Sequence, residues 1–362
     1  MIKKTLNQIG YSILVLFGVV SLVFFLFIIL PGDPAQMMVG QRSDAETLQN
    51  IRAEYGFNEP VWKQYLLYLN DLSPISYLDD SKKGFAPNSD RYSSFLTLLP
   101  LGSKHAIILK WPFLRNSYQS KQPVNNIIKG ALPQTLILAL ISIALASIVG
   151  IVLGSIAAYF KGSIFDKSII SFSALGMSLP SFFAAILIGW ILAYLLSNIT
   201  HLNLTGSLYE FDELTGEKHL ALKNIILPAI TLSVRPLSVI VQLTRNSLLQ
   251  ELSSDYFITA LAKGNSKTKA IKNHALKNAL NPVITAVSGW FASMLAGVVF
   301  VEYIFGWKGI GELLVNALNN YDFPVVMGCI LTIAFLFLLI NILVDIIYGW
   351  IDPRIRYQTA KN

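Results

Sequence analysis

The chain has 362 residues, 54% of them hydrophobic and 14% charged, with a mean hydropathy of +0.55 and a net charge of +7. That balance excludes an ordinary soluble domain and predicts an all-α integral membrane protein. The basic residues sit in short segments between apolar runs, which fits membrane orientation and argues against nucleic-acid binding.

Lys3 and Lys4 precede an apolar run from Ile9 to Leu30. Twenty-two helical residues cover about 33 Å, enough for a bilayer core. The run ends in LPGDPA (30–35), which lacks the small-x-small pattern of a cleavage site, so residues 1–30 are expected to be an N-terminal segment and a retained first span. Residues 31–132 carry eleven basic and nine acidic side chains and are expected to form an external region. Tyr55, Phe57, Trp62, Tyr65 and Tyr68 suit a small helical lobe reaching about Leu72. The stretch after it, Ser73 to Ser94, is rich in Ser, Asp, Pro and Gly and predicts a loop, part of an insertion over 73–113.

Five further spans are expected at Pro133–Phe160, Ser168–Ser197, Ile225–Leu249, Val283–Val301 and Pro324–Ile351, making a 133–351 core of five helices and six spans in all. Pro133, Pro228, Pro282 and Pro324 mark or nearly mark span starts, where the missing N–H of proline costs nothing. The N-terminus, 161–167, 250–282 and the tail 352–362 hold twelve Lys and Arg, while the opposite loops 199–224 and 303–323 hold three. The first set is therefore expected in the cytoplasm, with both termini inside.

No metal-ligand pair, nucleophile elbow or phosphate-binding loop is present; the four histidines (105, 201, 219, 274) are far apart. No catalytic residue, metal or cofactor is expected. Any ATP would have to be hydrolysed by a partner. The single cysteine, Cys329, excludes an intrachain disulfide. Gly306, Gly309 and Gly311 follow a membrane run and suit a flexible or closely packed re-entrant turn at the outer mouth of spans five and six, not a dinucleotide loop.

Between spans four and five lies a basic segment, 254–282, with five lysines. Ser254 or Asp255 can cap a helix through Ala262, Gly264 can close it in the left-handed conformation, and Asn265 or Ser266 can cap a second helix to about Ala279. In that second helix Ala270, Ile271, His274 and Ala275 share an apolar stripe with basic flanks. The stripe reads as a docking surface; the plainer reading is a lysine-rich loop that obeys the positive-inside rule.

Gly264, Ile271 and His274 fall at the spacing of the EAA-type motif, and the segment resembles that motif in permease subunits of binding-protein-dependent ABC importers. LPGDPA (30–35), QPVNNIIKGALPQTL (122–136), LPAITL (227–232), DYFITALAKG (255–264), HALKNALNPVIT (274–285), VEYIFGWKGIGELL (301–314), DFPVVMG (322–328) and NILVDIIYGWIDPRIRY (341–357) resemble the dipeptide, oligopeptide and nickel branch of that family. The resemblance spans nearly the whole chain outside 73–113. It implies a subunit that is not itself an enzyme, in a bacterial inner membrane, working with a second homologous permease, two cytoplasmic ATP-binding subunits and an extracytoplasmic solute-binding protein.

The resemblance assigns coupling to the ATPase to Asp255, Ala260, Gly264, Ala270, Ile271, His274 and Ala275. Ile258 stands where the acidic residue of the motif would fall, a departure shared by the peptide branch. Gln242 replaces a basic residue often found in the fourth span, while Arg245 is kept; both are expected in the translocation path or its gating, as are Arg235, Asn341 and Asp345. Arg235 lies inside span four. It lines the path and attracts a carboxylate, or it snorkels to headgroups or pairs with an external acid. Asn341 and Asp345, four apart on span six, suit a structural or gating contact between helices. Asp345 also suits a proton relay, which keeps open the alternative of a self-sufficient ion-coupled transporter or channel.

Overall fold

The computed structural model describes residues 2–29, 34–39, 44–81, 87–92, 94–212 and 216–351. Most of LPGDPA and the whole tail 352–362 lie outside the described residues. The chain divides into two compact units: one of 1–12, 131–312 and 333–362, the other of 13–130 and 313–332.

The smaller unit begins in the long apolar helix α1 (Ile2–Ile29), followed by the short α2 (Pro34–Val39). The expected helical lobe is α3 (Ala45–Tyr55) and α4 (Val61–Leu72). Asp44 caps α3 by accepting from the Thr47 amide at 3.1 Å, and Gly56 closes it at φ 71°. Val20, Phe24, Tyr68 and Leu331 bury one another within this unit.

The insertion corrects the all-α expectation. Three strands, β1 (Ile75–Asp79), β2 (Phe95–Pro100) and β3 (His105–Lys110), form an antiparallel sheet in the order β1–β3–β2. Alternation places Leu78, Ala106 and Ile108 on an inner face packed with Tyr92 and Phe113. The predicted loop after Ser73 thus contains a strand. Within the strand the polar Ser76 is buried, its hydroxyl donating to the Asn70 and Ser73 carbonyls, while Ile75 and Tyr77 are exposed.

α5 (Val124–Tyr159), most of it in the larger unit, starts nine residues before Pro133, which lies inside the helix. The third expected span is two helices, α6 (Ile164–Ser178) and α7 (Ser181–Gly189), the latter continued by a π-helical turn to Leu195. The pair bends by 113°. Pro180 supplies the cause: it lacks an N–H and drives Leu179 to an extended ψ of 129°. After the one-turn α8 (Ser197–Thr200) and the hairpin β4 (Tyr209–Phe211) and β5 (Lys218–Leu220), the chain enters α9 (Ile226–Leu252).

The basic segment is α10 (Asp255–Ala262), a glycine turn and α11 (Lys267–Ala270). A π-helical turn over Ile271–Ala275 then runs without a break into α12 (Leu276–Phe305). Lys267–Phe305 is one continuous helix with Pro282 inside it, so the expected boundary between the second short helix and span five does not exist. The glycine-rich turn leads to α13 (Ile310–Asn319) and α14 (Phe323–Ile351). Among the described residues five helices are long and apolar enough to cross a membrane, or six if the bent pair counts as one span.

Candidate functional site

Gly264 adopts φ +84°, the left-handed conformation expected of it, and a Cβ there would meet no atom within 4 Å. Glycine is required by the backbone dihedral and not by crowding. Ser266 caps α11 by accepting from the Lys269 amide. On the near side of the turn, the Asn265 side chain donates to the Ala260 carbonyl at 3.1 Å.

The apolar stripe exists, but it faces inward. Ala270, Ile271 and Ala275 are buried with Ala260, Phe257, Leu248, Ala158 and Ala279, while His274 is exposed. The expectation that this stripe is an open docking surface is therefore corrected: it is the seam that fixes the segment to the chain's own core. The open side of the segment is on α10. Phe257 and Ala260 turn inward, leaving Ile258 (56% exposed), Leu261 (38% exposed) and Ala262 facing out beside the exposed Asp255 and Lys263. The position where the motif's acid is replaced by Ile258 is the largest apolar part of that face.

Two polar ties hold this end of the unit. Arg245 on α9 makes a two-pronged ion pair with Asp166 on α6, Nε to Oδ1 at 2.6 Å and Nη2 to Oδ2 at 2.8 Å. Asp166 also accepts from the Gly162 amide at 2.8 Å. Lys267 donates to the Tyr159 carbonyl at the end of α5 (3.2 Å) and lies 4.4 Å from the centre of its ring. Asp166 was not singled out by the sequence, since one acid beside a short loop has no distinctive spacing.

Arg235 is exposed on α9 and makes no hydrogen bond or ion pair among the described residues, so pairing with an external acid is not observed. Gln242, two turns on, is half-buried and its amide is also without a partner there. Asn341 donates to the Phe337 carbonyl of its own helix at 2.8 Å, and no bond from it to another helix is found among the described residues. Asp345 is on α14, and its side chain lies outside the described residues. Among the described residues no three His, Cys, Asp or Glu side chains are placed to hold a metal.

Glu302, a further buried acid, was also missed. Glu302 on α12 is fully buried, and its carboxylate accepts from the Gly311 amide at 2.6 Å. A Cβ at Gly309 would fall 2.2 Å from Glu302 Oε1, and one at Gly311 would fall 2.4 Å from Val299 Cα. Trp307 Nε1 donates to the Gln134 carbonyl (3.0 Å) and the Ile310 amide to Thr135 Oγ1 (2.8 Å), seaming the turn to α5. The closely packed form of the glycine-rich turn is the one adopted. The signal for Glu302 was available: an acid inside VVFVEYIF, followed by glycines seven and nine residues on.

The family described as binding-protein-dependent transport system inner membrane component matches residues 150–357, and the N-terminal family of such membrane components matches 1–87. The dipeptide transport system permease protein DppB of Alkalihalophilus pseudofirmus is 31% identical over 370 residues, covering 99% of this chain and 100% of the relative. DppB of Escherichia coli K12 is 32% identical over 375 residues with the same coverage, and the di/tripeptide permease DppB of Pseudomonas aeruginosa is 32% identical over 372. A solved inward-facing structure of the MetNI methionine ABC transporter shares the fold at a TM-score of 0.50 and 14% identity, covering 62% of this chain and 96% of that one. With both family matches and full-length relatives in agreement, the chain belongs to the inner membrane components of binding-protein-dependent transport systems.

Proposed function

We propose that the chain is the transmembrane permease subunit of an ATP-driven importer of di- and oligopeptides. It pairs with a second, homologous permease to enclose the path. Two cytoplasmic ATP-binding subunits supply the work and an extracytoplasmic solute-binding protein delivers the cargo. The segregation of lysine and arginine supports an inner-membrane placement with both termini, and the 254–282 segment, in the cytoplasm. Full-length similarity to dipeptide permeases supports the cargo.

The observation that carries the coupling role is the two-sided build of α10 and its glycine turn. One side is sealed to the core by Phe257, Ala260, Ala270, Ile271 and Ala275, and the other presents Ile258 and Leu261. A short helix fixed on one face and apolar on the other suits insertion into a groove of a partner. Force received there passes into α12 through the continuous backbone and into α5 and α6 through Lys267 and the Arg245–Asp166 pair. Asp255, His274 and the turn at Gly264 border the docking face. Arg235 and Gln242 are assigned to the path, and Asn341 and Asp345 to gating by α14.

The test is reconstitution. The chain alone in proteoliposomes is expected to transport nothing, and the full assembly to show peptide-stimulated ATP hydrolysis and uptake. Replacing both Ile258 and Leu261 by alanine should lower uptake by about tenfold or more, the loss expected when two apolar anchors leave an interface. Strong uptake by the lone chain under an ion gradient would establish the ion-coupled alternative instead.

A further inference from the structure

α9 is packed tightly on most sides. A Cβ at Gly150 or Gly154 of α5 would strike Ile240 Cγ2 (2.7 Å) or the Val241 carbonyl (2.6 Å), and one at Gly176 of α6 would strike Ser238 Oγ (2.7 Å). Arg235, Asn246 and Gln250 stay exposed, and with the half-buried Val239 and Gln242 they fall on one line at steps of four, three, four and four residues. Four of the five are polar. By contrast, apart from Lys167 near its start, the large side chains open on α6 are Ile164, Phe165, Phe172, Leu175 and Met177, the composition expected against lipid tails.

Position sharpens the contrast. The membrane-length helix runs Leu222–Leu252, so Arg235 sits about 3 Å from its midpoint. The nearer edge of a centred hydrocarbon core is about 12 Å away, beyond the reach of an arginine stem. A guanidinium without a partner is costly in lipid at that depth, and the unpartnered Gln242 amide is poorly suited to it as well. The line therefore suits water.

We propose that Arg235 is a carboxylate-binding residue in the translocation path, with Gln242, Asn246 and Gln250 forming a polar track along the same face of α9. This deepens the peptide-importer reading and rests on it. Every peptide with a free C-terminus offers one carboxylate, which the planar fork of arginine engages with two hydrogen bonds. A divalent cation would be repelled by the same charge, so the track favours peptides over nickel as cargo.

The experiment uses the full assembly in proteoliposomes with dialanine as the probe. The Arg235→Cys variant should be labelled by a charged, membrane-impermeant methanethiosulfonate reagent, and Leu175→Cys on α6 should not. Background is low because Cys329 is buried. Dialanine uptake should fall about tenfold or more in Arg235→Gln, the loss of one charge-assisted contact, with Arg235→Lys retaining most of the rate. Failure of the reagent to label Arg235→Cys, wild-type uptake by Arg235→Gln, or equal loss in the Gln and Lys variants would each overturn the proposal. Absence of dialanine uptake by the wild-type assembly would instead overturn the importer reading, and labelling of the Arg235→Cys variant would still test the track.

Discussion

Asp71 in the smaller unit and Glu302 in the larger one are both buried acids, but they are held in different ways. The Asp71 carboxylate accepts from Arg91 (2.8 Å), Arg115 (3.0 Å) and the Tyr92 hydroxyl (3.1 Å), while Lys110 donates to its backbone carbonyl. Aromatic rings cover the cations, Tyr68 at 5.0 Å from Arg115 and Tyr92 at 4.6 Å from Lys110. Glu302 is met instead by a backbone N–H, with glycines letting the main chain come close. In the mixed-charge insert, long cationic side chains are available to converge on one acid. Within a membrane-length helix they are not, and main-chain dipoles take their place.

The difference can be broken experimentally. The largest effect is expected from Asp71→Ala, which strands a buried cluster of cations. About 3–5 kcal/mol should be lost, read as early loss of amide protection across 61–113 in hydrogen exchange. Next is Gly311→Val: its side chain would overlap Val299, costing about 1–3 kcal/mol and lowering the unfolding temperature of the purified protein. A Gly311→Val protein that melts like wild type would remove the basis of the backbone cradle. Gly264→Val meets no steric neighbour, so only the left-handed backbone is penalised, by about 1–2 kcal/mol. Its expected signature is loss of coupled uptake with little change in melting.

The smallest effect concerns pH. Burial pushes the Lys110 ammonium down to about 8, although Asp71 opposes the shift. Its folded value is thus below that of the unfolded chain. Between about pH 8 and 10.5 the unfolded state binds more protons, and the insert should gain stability as pH rises. Below that window the full cost of the buried charge is present. Lys110→Met should abolish this slope, which amide exchange in the sheet at pH 8 and pH 10 would show.

Span existence was legible because twenty apolar residues in a row have few other uses, and Gly264 was legible because glycine adopts φ +84° without steric cost. Facing was harder. Periodicity identified the Ala270–Ile271–Ala275 stripe, but nothing in the sequence said whether a partner or Phe257 and Leu248 would take it. The bend at Leu179–Pro180 had its signal in plain view, masked by the unbroken hydropathy on both sides. The sheet was hidden because five- and six-residue strands in an insert carry too few alternations to outweigh their turns. Asp71 could not be read at all: its partners stand 20 and 44 residues away.

The absence of a break between α11 and α12 has a mechanical consequence. A continuous helix of 39 residues is about 58 Å long, so a tilt of five degrees at Lys267 carries Phe305 about 5 Å sideways. Its ladder is weakest between the π-helical turn at Ile271 and Pro282, where one N–H is missing. Flexing would concentrate there, in the third of the rod nearest α10. The stretch from Val283 onward would swing as a stiff arm, and its tip carries the Glu302 cradle: a small stroke at one surface of the membrane becomes a larger one at the other.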